Sequence, residues 1–444
     1  VSLPFVSLEP GEWSQVDGAE IKGVTRAVAA VEHSTGLRVA MLYRAEWPKA
    51  DEDVRRVLRI QAFERLDEDA PPVAPYRWTD RNDAGALAWE RPFMSQAVAA
   101  FSALADARER PLPWWAPGWT RNTLTWIDDR LTEAGMRRVG GVTQVKNDWQ
   151  SVVMRAATDD GFVYLKALAP PADRELTILC DVLTPGPHVP RVLGVDQANG
   201  LLLMRDVGGV NPSECGRGAV SEIDLHRLAE GYATLQRSTA RVDPESVFDC
   251  RLERVAELLS ATLDDLPSLL AGSPYEAPAS DIARARELIP VLARVCRAAD
   301  RAGIPPHLVH ADLDGNTVVT QDGPVFFDWA AVYVSHPFFD VYEFEDSIGN
   351  ATDEPGTAAA IDRYLSVWTE YGSVEELRRI VITLRAVRWA PGLIKGAHCL
   401  RHLPHAKSPL RTTPYAPLSV AGERWQRGMA PTLRRLCDDL EKVT

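Results

Sequence analysis

The sequence predicts an α+β protein with a small antiparallel β lobe, a larger helical lobe after it, and a small α/β or α+β domain ahead of both. Three observations predict this. The hydrophobic period changes to strand-like alternation over residues 139–207, with turn chemistry at "TDDG" and "QANG". After residue 208 the apolar positions recur at helical spacing. Between these helices lies a loop, "HADLDGN" at 310–316, set between short strand-like runs.

Taken in order, residues 1–95 mix strand-like runs ("LRVAMLYRAEW", "ALAWERPF") with short helical ones ("VTRAVAAVEH", "EDVRRVLRIQAFERL"). This is read as an accessory domain with no chemistry motif. Residues 96–138 read as a helical linker, "SQAVAAFSALADARER" and "TRNTLTWIDDRLTEAG", punctuated by "PLPWWAPGW". The tryptophans at 114, 115 and 119 are expected to be a structural plug. In 139–207, "QSVVMRAATDDGFVYLKAL" and "HVPRVLGVDQANGLLLMRDV" are two strand pairs, separated by a helix at "DRELTILCDVL". From 208 to 444 the chain is mostly helical. Ser221 with Asp224 makes a capping box. Leu225, Leu228, Ala229, Tyr232 and Leu235 line one helical face. A helix over 281–302 stops at Gly303, a short strand at "HLVH" comes next, and "NTVVTQDGPVFFDW" is a hairpin turning at "DG".

Composition narrows the function classes. The chain has 444 residues, 45% hydrophobic and 25% charged, which fits several globular domains. No apolar run reaches the roughly 18 residues of a spanning helix, and the first residues lack the basic and apolar regions of a signal peptide. A net charge of −13 disfavours nucleic acid and anionic membranes as partners and suits a cationic small molecule. The six cysteines fall at no metal or redox spacing. A cytoplasmic location is expected.

The loop carries the chemistry. Phosphoryl transfer needs a cation on the phosphates, oxygen ligands for Mg²⁺, and an acid to orient the attacking hydroxyl. Asp312 in the loop suits the last role. Asn316, and Asp328 at the end of the apolar run "PVFFD", suit the metal. His310 is expected to brace the loop. An EF-hand reading fails, because the glycine falls at the fourth loop position instead of the sixth. His398, His402 and His405 have no companion ligands nearby in sequence and are read as core or solvated histidines.

"VHADLDGNTVV" followed by "VFFDWAAVYVSHPFFDV" resembles the aminoglycoside phosphotransferase and choline kinase families, relatives of the protein kinases. Actinobacterial members that carry an extra N-terminal domain look similar. The resemblance covers 140–350 well and 355–444 loosely. It implies a two-lobe protein-kinase-like core, with 139–207 as the nucleotide lobe and 208–444 as the lobe of the catalytic loop and acceptor site. It also implies a small-molecule kinase using ATP, with GTP as the alternative nucleotide, and Mg²⁺. The resemblance makes Lys166 the lysine on the α- and β-phosphates and Glu175 its ion-pair partner. It places the phosphate loop at 144–151, with Ser151 and Asn147 as its polar groups. Met204 to Asp206 become the hinge that meets the adenine, and Asp340 a structural aspartate. Glu343, Asp346, Trp368 and Tyr371 are acceptor-side candidates, and the "YEFED" acids suit a cationic acceptor. One feature departs from the family pattern: three residues separate Asp312 from Asn316, where the family has four. The alternative reading is a catalytically quiet nucleotide-binding or regulatory module.

Overall fold

A computed structural model of the chain describes residues 24–25, 28–29, 31–33, 36–48, 57–66, 112–116, 118–147, 150–169, 174–183, 186–239, 242, 247–271, 273–402 and 420–444. The expected strand "ALAWERPF", the expected helix "SQAVAAFSALADARER" and His405 lie outside the described residues. The described chain divides into two compact units. The first comprises 1–170, 193–205 and 403–421, and the second 171–192, 206–402 and 422–444.

The first unit opens with an antiparallel pair, β1 (Val39–Pro48) and β2 (Val57–Arg65), in register from Val39 opposite Arg65 to Pro48 opposite Val57. The expectation of a helical run at 52–66 is corrected over Val57–Arg65, and 52–56 lie outside the described residues. "LRIQA" at 58–62 alternates apolar and polar, the two-residue period of a strand. Pairing with β1 overrides the helix-favouring Arg and Glu around it. Helix α1 (Trp119–Glu133) comes next, closed by Gly135 at φ 72°. Trp114 is buried and meets Trp119 edge-on at 6.2 Å, as a structural tryptophan should.

The main sheet of this unit has five strands: β3 (Arg138–Asn147), β4 (Ser151–Thr158), β5 (Gly161–Leu168), β6 (Val192–Asp196) and β7 (Leu201–Arg205), in the order β3-β4-β5-β7-β6. Alternation along β4 and β5 buries Val152, Met154, Ala156, Val163, Leu165 and Ala167. Each such side chain contributes about 1.5–3 kcal/mol when large and fully buried. Both expected turns form. Thr158 Oγ1 donates to Gly161 O at 2.9 Å, and Gly161 takes φ 90°. At "ANG", Gly200 is required by close approach: a Cβ there would lie 2.4 Å from the carbonyl oxygen of Leu168.

The second unit begins with a short helix α2 (Arg174–Thr177), which widens into a π turn at Ile178–Val182. Helix α3 (Glu222–Arg237) starts at Ser221, whose side chain accepts from the Asp224 amide, and buries the predicted face. Next come β8 (Phe248–Asp249), α4 (Leu252–Leu270) and α5 (Ala279–Asp300). Strand β9 (His307–Val309) leads into the acid loop, and β10 (Thr317–Thr320) and β11 (Gly323–Phe326) form the predicted hairpin. Strand β12 (Tyr333–Ser335) lies between β8 and β9. The rest is helical: α6 (Asp340–Gly349), α7 (Glu354–Ser366), α8 (Val374–Arg385), α9 (Ala390–His402) and α10 (Val420–Glu441). Tyr232, Phe326, Phe338, Tyr364 and Trp368 pack ring against ring below the acid loop. Among the described residues no helix is long and apolar enough to cross a membrane.

Candidate active site

The acid loop is held from below by one carboxylate. Asp340, buried at the first turn of α6, accepts from the His310 amide at 2.8 Å, the Ala311 amide at 2.9 Å and Gln236 Nε2 at 3.0 Å. The Tyr232 hydroxyl donates to it as well. Burial pushes this carboxyl up to about 6, against the pull of these donors. The clamp stabilises an unusual backbone. Ala311 sits at φ 61°, a left-handed conformation that costs an ordinary residue about 1–2 kcal/mol. Among the described residues, the other non-glycine at positive φ is Asp328, at φ 60°. Strain of this kind collects at functional sites, where surrounding contacts over-determine it.

The hairpin brings the two metal candidates together. Thr317 pairs with Phe326, and the Phe327 amide donates to Asn316 O at 3.1 Å, which sets Asn316 beside the Phe327–Asp328 peptide. His310 Nε2 reaches Phe327 O at 2.9 Å, and its ring lies 4.5 Å from that of Trp329, so the histidine braces the loop as predicted. The segment carrying Asp312 is thereby tied to both Asn316 and Asp328.

The shortened loop closes as a tight turn. Gly315 takes φ 78°, the Asn316 amide donates to Leu313 O at 3.1 Å, and Asn316 Nδ2 donates to Asp312 O at 2.7 Å. With its nitrogen turned into the loop, Asn316 has Oδ1 to offer a metal. The segment after β7 pins the turn from outside. Val210 and Val319 exchange backbone hydrogen bonds at 2.9 and 2.8 Å. Asn211 Nδ2 donates to Gly315 O at 3.0 Å, and Ser213 Oγ accepts from the Gly315 amide at 3.1 Å. Gly209 is needed here, since a Cβ would meet Val319 O at 2.6 Å.

A cation and an acid not foreseen together complete the neighbourhood. Lys395 Nζ on α9 donates to Ala331 O at 2.9 Å, three residues past Asp328. Burial lowers its pKa, while Cys399, Asp312, Glu343 and Asp340 act in the opposite sense. Glu343 is pushed up to about 7 by burial first, then by the charges of Asp340, Asp312 and Asp346, with Lys395 opposing. Sequence reasoning missed Lys395, Asn211, Ser213, Tyr232 as a carboxylate donor, and Gln236. The "GGVNPS" run after β7, rich in turn formers, was the one available signal for Asn211 and Ser213.

The remaining candidates fall in both units. Lys166 is buried on β5, between Val153 of β4 and Leu202 of β7, so it does not snorkel to solvent. Glu175 is fully buried on α2 in the second unit. Ser151 is buried at the start of β4. Asn147 ends β3, and its Nδ2 donates to Met41 O at 2.5 Å. Met204 pairs with Tyr164 at the β5–β7 seam, and Asp206 Oδ1 accepts from the Gly208 amide at 3.0 Å in a local turn. Trp368 is fully buried in the aromatic cluster. His398 lies 3.3 Å from Arg174 Nη2, and His402 reaches the His398 carbonyl. Among the described residues no group of three or more His, Cys, Asp or Glu could hold a metal ion. The Asn316–Asp328 set differs from such clusters: it is a carboxylate with an amide oxygen, which suits Mg²⁺ that keeps most of its waters.

Solved structures similar to this chain include a choline kinase from Cryptosporidium parvum Iowa II (9% identity, 73% of this chain and 97% of that one, TM-score 0.49). A macrolide 2'-phosphotransferase from Brachybacterium faecium is similar over 69% of this chain and 97% of its own, at 16% identity and TM-score 0.41. An ethanolamine kinase from Plasmodium vivax is similar over 68% and 83%, at 13% identity and TM-score 0.39. No curated protein matches. A family model, described as the phosphotransferase enzyme family, matches residues 142–377, more than half of the chain. That span runs from β3 through the acid loop, Asp328 and the Asp340 clamp, and on this match the chain belongs to the phosphotransferase enzyme family.

Proposed function

We propose that the protein transfers the γ-phosphoryl group of ATP, with Mg²⁺, to a hydroxyl of a small and preferably cationic acceptor. The observation that carries this reading is the pair of left-handed non-glycine residues, Ala311 and Asp328. Each sets the direction of a carboxylate, and they lie on segments joined through Phe327. Asp312 orients the acceptor hydroxyl and receives its proton as the oxygen bonds to the γ-phosphorus and the bond to the β,γ-bridging oxygen breaks, releasing ADP. Asn316 Oδ1 and Asp328 hold the metal, which when bound neutralises charge on the phosphates. Lys166 fixes the α- and β-phosphates. Asn147 and Ser151 are their polar partners, and backbone groups of Met204–Asp206 meet the adenine. The acids Glu343 and Asp346, with the net charge of −13, favour a cationic acceptor.

An acceptor screen with γ-labelled ATP tests this, with macrolides, aminoglycosides, choline, ethanolamine and hexoses as the panel. Transfer to one class, lost in Asp312→Asn, is expected. Nucleotide binding with no transfer to any member would favour the quiet binding module instead.

A further inference from the structure

We infer that the segment preceding the sheet is a working part of the nucleotide unit, and that Gln144 is a positioning residue through which it holds the phosphate loop. The inference rests on the reading of 144–151 as that loop. The contacts lie within the first unit.

Gln144 is a buried polar side chain in β3, and its amide is satisfied by one backbone residue of β1. Its Oε1 accepts from the Met41 amide at 2.8 Å, and its Nε2 donates to the Met41 carbonyl at 3.0 Å. A primary amide that pairs with both groups of one residue imitates a strand neighbour, so β1 extends onto β3 without a ladder. The same Met41 carbonyl accepts from Asn147 Nδ2, and Thr25 Oγ1 donates to the Gln144 carbonyl at 2.9 Å. Two residues of β3, three apart, thus converge on one carbonyl of the preceding segment.

The clamp sits where β3 is irregular. Gln144 lies opposite Met154, but Lys146 lies opposite Val153, so one residue of β3 is extra between them. Such a bulge bends a strand and re-aims the residues after it, and bulges collect beside active sites. In this chain those residues are Lys146 and Asn147, at the end of β3. The ladder resumes at Lys146 opposite Val153 and Asn147 opposite Val152, and the Met41 clamp adds a second hold on both sides of the extra residue, at Gln144 and at Asn147. The segment has an apolar base of its own: Val24 packs with Met41, and Val31, Leu37 and Val39 form a second small cluster, with Val28 against both. The clamp is therefore anchored.

The test uses the full chain and Mg-ATP. Gln144→Leu removes both bonds to Met41 at similar volume. It is expected to raise the KM for nucleotide about tenfold while the KM for acceptor stays within twofold. Thr25→Val, which removes the weaker hold, is expected to raise the nucleotide KM two- to threefold. A merely structural amide would lower the melting temperature without splitting the two KM values, and that result would overturn the inference. Hydrogen exchange on the wild-type chain covers the case in which Gln144→Leu does not fold. Mg-ATP is expected to slow exchange of the Met41 amide at least tenfold, and unchanged exchange in a nucleotide-saturated chain would overturn the inference while leaving the proposed function intact. A wild-type chain that binds no Mg-ATP by calorimetry would instead defeat the proposed function, and this inference with it.

Discussion

The five-stranded sheet and the acid loop are built by different physics. Away from the bulged β3 the sheet is simple: β4 alternates inward and outward, β5 and β7 bury continuous apolar stretches, their core is largely aliphatic, and their turns use Gly161 and Gly200. The loop is irregular: two non-glycine residues at positive φ, one residue fewer than the family pattern, and polar clamps on every side. Aliphatic burial is non-directional and tolerates small changes of shape. Buried hydrogen bonds to a charged carboxylate are directional and fail sharply when one partner goes. The sheet can therefore keep its shape through drift in its sequence, whereas the loop holds its geometry through a few directional contacts.

The sharpest break of this contrast is Asp312→Asn. It keeps the loop's shape and removes only the proton acceptor. We expect kcat to fall about 10²–10⁴-fold with the melting temperature unchanged, measured by labelled-phosphate transfer and thermal unfolding. An equal fall in stability would place Asp312 among the structural residues.

Next in size is Asp340→Asn, which leaves Tyr232, Gln236 and two loop amides facing an amide in place of a carboxylate. Breaking a buried charged network of this kind costs about 3–5 kcal/mol. Chemical denaturation should show that loss, with kcat falling as Ala311 relaxes. A Val163→Ala change in the sheet is the contrasting case: cavity formation of modest size, with kcat preserved.

Lys395→Met tests a smaller effect. It leaves the Ala331 carbonyl without its donor and removes a charge that opposes the raised pKa of Glu343. We expect kcat to fall about tenfold, equivalent to about 1.4 kcal/mol, with partial recovery in Lys395→Arg. Equal activity of Lys395→Met and the parent would remove this lysine from the account.

The mildest effect is in pH. Burial lowers His307 to about 4 and His336 to about 3, so both stay neutral in the folded chain. The unfolded chain binds their protons near pH 6.5 and the folded chain does not, so their contribution is complete above about 6.5 and is lost as pH falls below it. Asp340 and Glu343 act oppositely: raised to about 6 and 7, they add stability that is complete below the ordinary carboxylate range and lost as pH rises through 6 to 7. The two sets offset each other between about pH 4 and 6.5, so denaturation midpoints should change little there. His336→Phe should tilt that plateau, with stability rising toward acid. An unchanged plateau in this variant would show that His336 takes up no proton on unfolding.

Legibility in the sequence divides along the same line. The two glycine turns, the buried face of α3 and the β10–β11 hairpin all rest on local period and turn chemistry, and each was readable. The positions of Asp312, Asn316 and Asp328 were readable as candidates because a loop and a neighbouring strand end carry them, and Asp340 as a structural aspartate followed from the family resemblance. β2 was misread because its helix-favouring Arg and Glu outweighed its alternation until β1 was there to pair with it. Tyr232, Gln236 and Lys395 looked like ordinary helical residues, since what they do depends on partners far away in the chain. Gln144 was invisible for the same reason: its partner is Met41, and no local pattern links the two.

The central claim is that Asn316 and Asp328 present oxygens to one metal beside a nucleotide while Asp312 faces the acceptor. Single-turnover transfer of the labelled γ-phosphoryl by Asp328→Asn, with nucleotide binding measured in parallel, tests it most directly. The account predicts that transfer falls at least a hundredfold, that the residual rate no longer saturates with Mg²⁺ at the wild-type concentration, and that the fold is kept. Transfer at the wild-type rate with an unchanged Mg²⁺ dependence would contradict it.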